Sequence, residues 1–237
     1  MRERVFDRNM FIMAIAIMLG IVVITYFVAD IVHKSQIQEL NTEHTNEIEI
    51  IEENNINFTS SFLESSVLLD SAREDRAFGN YHFDIGQLFY TSALSETNST
   101  VIMSYKNISI DNCTLAMPKY LNSHQNFDQA SVFFNNTKKF TLYDNYVELL
   151  NLYVNLSNSG AKLTMLRYNA SQYLIMLAEN ITISSNGSVV LENVTELEAL
   201  FNETMAMYGM ELGTYEEIQD EIDEYDIKGF STIREPV

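Results

Sequence analysis

One uncharged apolar run near the N-terminus constrains this chain more than any other feature. From Phe11 to Ala29 it reads FIMAIAIMLGIVVITYFVA, 19 residues without a charge. Wound as a helix at about 1.5 Å per residue it is roughly 29 Å long, close to the hydrocarbon thickness of a bilayer. The run exceeds the ~7–15 apolar residues of a secretory signal, and no A-x-A-like cleavage site follows it. A single transmembrane helix is therefore expected at residues 11–29, with the lipid bilayer as its partner. Arg2, Arg4 and Arg8 precede the run, and Lys34 is the one lysine or arginine in the dozen residues after it. Lys and Arg collect on the cytoplasmic side, so the N-terminus is expected inside and residues 30–237 outside. The cytoplasmic tail, residues 1–10, is too short to hold a folded output domain.

Glycosylation motifs point to the same topology. Eleven Asn-x-Ser/Thr sequons begin at Asn57, Asn98, Asn107, Asn112, Asn135, Asn155, Asn169, Asn180, Asn186, Asn193 and Asn202, all C-terminal to the apolar run. With 23 Asn and 36 Ser plus Thr in 237 residues, roughly 3.5 sequons would arise by chance. Sequons are used where a glycosyltransferase meets them, on the outer or lumenal side of a membrane.

Residues 30–237 carry 31 Asp plus Glu against 11 Lys plus Arg, a formal charge of −20. Such a surface repels nucleic acid and anionic lipid and favours solubility. Cys113 is the only cysteine, so no intrachain disulfide can form. Exported eukaryotic domains commonly use several disulfides, and a sequon-rich exterior without them leans toward an archaeal surface protein. Cys113 is expected as a small, partly buried thiol, with pairing between chains as the alternative.

Two prolines and eight glycines in the whole chain suit long helices and are too few for a turn-rich β-fold. Residues 30–56 place Ile37, Leu40, Ile48 and Ile51 at helical spacing, which predicts a stalk continuing the membrane helix. Ser61 to Glu64 fits a capping box and predicts a helix start. Over residues 77–94 the apolar stripe is Phe78, Tyr81, Ile85, Leu88, Phe89 and Ala93. Gly79 and Gly86, seven apart, share a face on which a second backbone can approach. This stretch, with its small residues at packing points, resembles one tetratricopeptide-type helical hairpin, and no period of about 34 residues repeats it. The resemblance implies antiparallel helix pairing and no binding residues.

Residues 98–112, with three sequons, are expected as a loop. A helix over residues 115–134 turns Tyr120, Phe127, Ala130 and Phe133 or Phe134 inward. Helices over 142–156, capped by Thr141, and over 163–177 are separated by a turn at Asn158-Ser-Gly160, forming an antiparallel hairpin. Asn186-Gly187 marks another turn, followed by a short extended piece at 189–191. The last stripe is Val194, Leu197, Phe201, Met205, Tyr208 and Leu212. At about 100° per residue, Asn155, Asn169, Asn180 and Asn202 all fall off these apolar stripes.

Chemistry-bearing motifs are absent. His33, His44, His82 and His124 form no H-E-x-x-H or Glu-x-x-His pattern, and G-x-S-x-G, Walker and G-x-G-x-x-G sequences do not occur. His82 and Asp84 point about 160° apart on a helix and cannot form a dyad. Glu217, Asp220, Glu221 and Glu224 share one helical face, expected as a solvated surface, with weak divalent-cation binding as the alternative. Arg73, Arg76 and Arg167, among apolar helices, are expected in ion pairs with Asp70, Asp75 or Asp84.

The expectation is an all-α protein with no catalytic, cofactor or metal site. It comprises a cytoplasmic tail (1–10), a transmembrane helix (11–29), a helical stalk (30–56), a glycosylated ectodomain of about five antiparallel helices (57–226) and a C-terminal tail (227–237). Its expected role is to dock another envelope protein. A ligand-sensing ectodomain acting through a partner's cytoplasmic domain is the alternative.

Overall fold

The computed structural model describes the backbone of residues 2–185, 187–191 and 194–225, and side chains from residue 25 onward within those ranges. Four α-helices dominate them: α1 (Arg2–Ser95), α2 (Ser99–Thr137), α3 (Asp144–Glu179) and α4 (Thr195–Glu224). A two-stranded antiparallel ribbon, β1 (Ile181–Ile183) and β2 (Val189–Leu191), joins α3 to α4. The chain is all-helical with little strand, as its shortage of glycine and proline demands.

Residues 1–54 and 55–237 form two units. In the first, residues 25–54 are helical with mostly exposed side chains, and Ile37, Leu40, Ile48 and Ile51 face solvent. Among the described residues no helix is long and apolar enough to cross a membrane. Residues 11–24, most of the apolar run, have side chains outside that description, and so has the tail, 227–237.

The second unit is a bundle in which consecutive helices run antiparallel. On α1 and α2, contacts pair Asp75 with Lys119 (2.9 Å) and His82 with Asn112 (3.1 Å). On α2 and α3, Phe134 stacks on Tyr153 while His124 reaches the Ala161 carbonyl at 3.2 Å. On α3 and α4, Tyr225 meets Glu148 (2.8 Å) and Lys162 meets Glu211 (3.8 Å). Arg73 on α1 closes the ring by donating to the Tyr215 hydroxyl on α4 at 3.0 Å.

Several expected boundaries are overturned, and the count falls from about five helices to four. Ser61 does not start a helix but lies within α1, bonding the Thr137 hydroxyl at 2.7 Å. Ser65 and Ser66 donate to carbonyls four residues back, which satisfies their hydroxyls inside the helix without a cap. Residues 77–94 belong wholly to α1 and form no hairpin. The expected loop at 98–112 is the first third of α2, with Asn98 as its N-cap accepting from the Thr100 and Val101 amides. Thr141 is not the cap of α3. Tyr143 holds that position, and the Thr141 hydroxyl accepts from its amide at 3.2 Å. Asn158-Ser-Gly160 is not a turn either, because α3 runs straight through it. Gly187, at φ 86°, does make the turn between the two strands, and the extended piece lies at Val189–Leu191.

The buried face of α1 also differs in phase from the expected stripe. Gly79, Phe83, Gly86, Tyr90 and Ala93 are buried, whereas Phe78, Tyr81 and Leu88 are exposed. The two glycines decide this. A Cβ at Gly79 would lie 2.7 Å from the Tyr120 ring, and one at Gly86 2.4 Å from Cys113 Sγ. Close approach of α2 therefore requires the glycine face, as the seven-residue spacing suggested. Inward Tyr120, Phe127, Ala130 and Phe134 on α2 match the expected stripe.

Gly209 and Gly213 on α4 are different: an added Cβ would meet nothing within 4 Å. Glycine inside a helix costs roughly 0.8–1 kcal/mol relative to alanine. Gly209→Ala and Gly213→Ala should each raise thermal stability by about that amount. A lower melting temperature would mean that this face is covered.

Candidate interaction surface

Nine of the eleven sequon asparagines lie among the described residues; Asn186 and Asn193 lie outside them. Asn98, Asn107, Asn135, Asn155, Asn180 and Asn202 are exposed, Asn57, Asn112 and Asn169 are half-buried, and none is buried. The Asn112 carboxamide is engaged, with Nδ2 donating to the Ile108 carbonyl and Oδ1 beside His82. Asn98 spends its oxygen on the α2 cap and Asn180 donates to the Met176 carbonyl.

No sequon falls between Asn57 and Asn98, and there the outer face of α1 is apolar. Leu63, Val67, Phe78, Tyr81 and Leu88 are 49–68% exposed, with Ile85 half-buried among them. At about 100° per residue these six lie within roughly 80° of one another, so they form one row. Exposed Asp70 and Glu74 occupy the middle of the same face. Phe78, Tyr81, Ile85 and Leu88 were legible in the sequence as an apolar stripe, and Leu63 and Val67 were not. The row's orientation toward solvent was not legible.

Between α3 and α4 lies a cleft of about 390 Å³ lined by Met165, Leu166, Asn169, Met207, Met210 and Thr214, with the Lys162–Glu211 pair at its edge. Sequence periodicity missed it because Met207 and Met210 lie about 120° and 180° from the centre of the α4 stripe, and Met165 lies off the stripe of α3. A second, more polar cleft of about 670 Å³ lies between Asn145, Glu148, Leu152, Glu221, Glu224 and Tyr225. There the Tyr225 hydroxyl sits 2.8 Å from Glu148 and 3.0 Å from the Asn145 carbonyl. Among the described residues no three His, Cys, Asp or Glu side chains gather so as to hold a metal ion.

The arginines pair more with rings than with carboxylates. Arg167 lies between Phe83 (4.4 Å) and Tyr208 (4.1 Å), with Asp84 at 3.6 Å. Arg76 covers Tyr215 at 4.4 Å. Arg73 meets Asp70 at 3.7 Å, while Asp75 is taken by Lys119 rather than by an arginine. Cations over aromatic faces contribute about 0.5–2 kcal/mol each, more where water is excluded. They bind α1 and α3 to α4 through the guanidinium faces, while Arg76 Nη1 and Arg167 Nε are buried without a hydrogen-bond partner among the described residues. Tyr120, whose hydroxyl donates to Asn80 at 2.9 Å, is held protonated because burial pushes its ionisation up. Cys113 is fully buried, not partly, and burial pushes its thiol up to about 12, so it is not placed to pair between folded chains. His82 and His124 serve Asn112 and the Ala161 carbonyl, with Asp128 3.4 Å from His124, and among the described residues neither hydrogen-bonds a serine, threonine or cysteine.

No family model, curated protein or solved structure matches this chain.

Proposed function

We propose that this chain is a single-pass, N-in membrane glycoprotein whose helical bundle docks another envelope protein. The observation that carries the docking reading is the sequon-free row Leu63, Val67, Phe78, Tyr81 and Leu88 on α1. Fully burying one such side chain is worth roughly 1.5–3 kcal/mol, so leaving five in water on one face is costly unless something covers them. The membrane span at residues 11–29, the exterior location and the glycans rest on the sequence arguments alone.

Charge selects the kind of partner. The chain carries −19 overall, and Asp70 and Glu74 sit within the row. A second copy in parallel would bring like charges together. The fitting occupant is an apolar helix of a different protein with Lys or Arg opposite those two carboxylates. A photo-crosslinker placed at Tyr81 or Leu88 in living cells should capture one partner of distinct mass, and the same probe at Glu203 on α4 should not. Crosslinks only between copies of this chain, or equal capture at Glu203, would overturn the assignment.

The methionine-lined cleft favours a second reading, a ligand-sensing ectodomain. Methionine adapts to varied apolar ligands. A small apolar molecule bound there would raise the melting temperature with its concentration, and Met210→Lys would abolish the shift.

A further inference from the structure

We infer that glycans at Asn107, Asn135, Asn155 and Asn169 can be attached only before the bundle folds. The inference rests on the glycoprotein reading above and concerns when those sites are open. A sequon is defined by its hydroxyl two residues after the asparagine, so the transferase must contact both side chains at once. On an α-helix, residues two apart point about 160° away from each other. An asparagine that faces solvent therefore turns its partner hydroxyl toward the core.

These four sequons realise that geometry. Their partner residues Ser109, Thr137, Ser157 and Ser171 are each 0% exposed. Three of the hydroxyls are already committed. Thr137 donates to the Phe133 carbonyl, Ser157 to the Tyr153 carbonyl and Ser171 to the Arg167 carbonyl, at 2.8–2.9 Å. Ser109 sits beneath α1, its backbone carbonyl 3.2 Å from where a Gly86 Cβ would stand. The remaining described sequons differ. Thr59, Thr100, Thr114 and Thr182 are exposed and Thr204 is half-buried. Two of their asparagines, Asn98 and Asn180, lie at helix ends with exposed hydroxyls, where the chain opens without unfolding the bundle, whereas Thr137, at the end of α2, is buried and bonded to Ser61 of α1 at 2.7 Å.

The transfer forms a bond from asparagine Nδ2 to the anomeric carbon of a polyprenyl-phosphate- or pyrophosphate-linked oligosaccharide. The carbon–oxygen bond to the lipid phosphate breaks, the phosphate leaves with that electron pair, and the carboxamide nitrogen loses one proton. In the folded bundle the nitrogen can be presented but the hydroxyl cannot. Modification of the folded chain at these four positions must then wait for unfolding.

The test compares three forms of the protein by peptide mass spectrometry. The full chain from its native membrane is expected to carry glycans at the four positions. Full chain made without glycans, folded in mild detergent, is then incubated with an Asn-x-Ser/Thr oligosaccharyltransferase and its lipid-linked donor. It should accept sugar at Asn98 and Asn180, and at the four positions roughly a thousandfold more slowly than short peptides spanning them, in line with the small unfolded fraction of a stable domain. Equal rates in folded chain and peptides would overturn the inference. Native chain glycosylated at Asn98 and Asn180 but bare at all four would support the closure, with transfer following folding, and leave the glycoprotein reading standing. Native chain bare at every sequon would remove both.

Discussion

Phe127→Ala should destabilise the bundle by about 3–5 kcal/mol, the range for a large ring removed from a core. Phe127 of α2 is fully buried where all four helices meet. Its ring lies edge-on to Tyr215 of α4 at 6.3 Å and under the Arg76 guanidinium of α1 at 5.9 Å. From α3, Gly160 approaches so closely that a Cβ there would stand 2.5 Å from the ring. Truncation removes the floor for all three neighbours, and a helix backbone cannot move in to refill it. For a unit of this size the melting temperature should fall by roughly 10 °C, measured by circular dichroism. A second substitution sharpens the test. Gly160→Ala alone should destabilise, because the alanine methyl meets the ring, but in the Phe127→Ala background it should be neutral or restoring. Equal costs of Gly160→Ala in both backgrounds would show that the ring and the glycine do not share this space.

Gly86→Leu should cost about 3 kcal/mol, at the upper end for overpacking a core. The new side chain would begin 2.4 Å from Cys113 Sγ and 3.2 Å from the Ser109 carbonyl oxygen. The sulfur can rotate, but the carbonyl belongs to α2 and can yield only if the helix moves. Cys113 supplies a local readout. In the wild-type fold it is buried with its thiol pushed up to about 12, so iodoacetamide near pH 8 should leave it unmodified. In Gly86→Leu the parted helices should admit the reagent, raising the alkylation rate by an order of magnitude or more at temperatures well below the melting transition. An unchanged melting temperature with Cys113 still protected would mean that the leucine has found room outside the α1–α2 contact. The cost at Gly86 should be opposite in sign to that at Gly209 and Gly213, although all three are helix-interior glycines.

That contrast separates what was legible in the sequence from what was not. Helical periodicity is local, so the helical class, the inward residues of α2 and the stripe of α4 could be read before any packing was known. The Gly187 turn was legible as well, since Asn-Gly between apolar stretches supplies the φ > 0 residue a tight reversal needs. The outward placement of Asn155, Asn180 and Asn202 followed from angles alone.

Gly160 was not legible, because glycine favours a turn and a close helix contact for the same reason, the lack of a side chain. Only the Phe127 ring packed against it decides between them. The outer row on α1 shows the same limit from the other side. Phe78, Tyr81 and Leu88 form the more hydrophobic stripe, while the stripe that packs is Gly79, Phe83, Gly86, Tyr90 and Ala93. Hydrophobicity ranks side chains by the area they could remove from water, whereas a helix pair selects the face that lets two backbones approach. Two of the four helix–helix seams thus depend on residues with no side chain, whose role exists only once the opposing ring or thiol is in place. By itself the sequence determined that this chain is helical and that Asn155, Asn180 and Asn202 point outward. The tertiary structure decided where each helix ends and which apolar face of α1 is left in water, because those outcomes depend on excluded volume between segments distant in the chain.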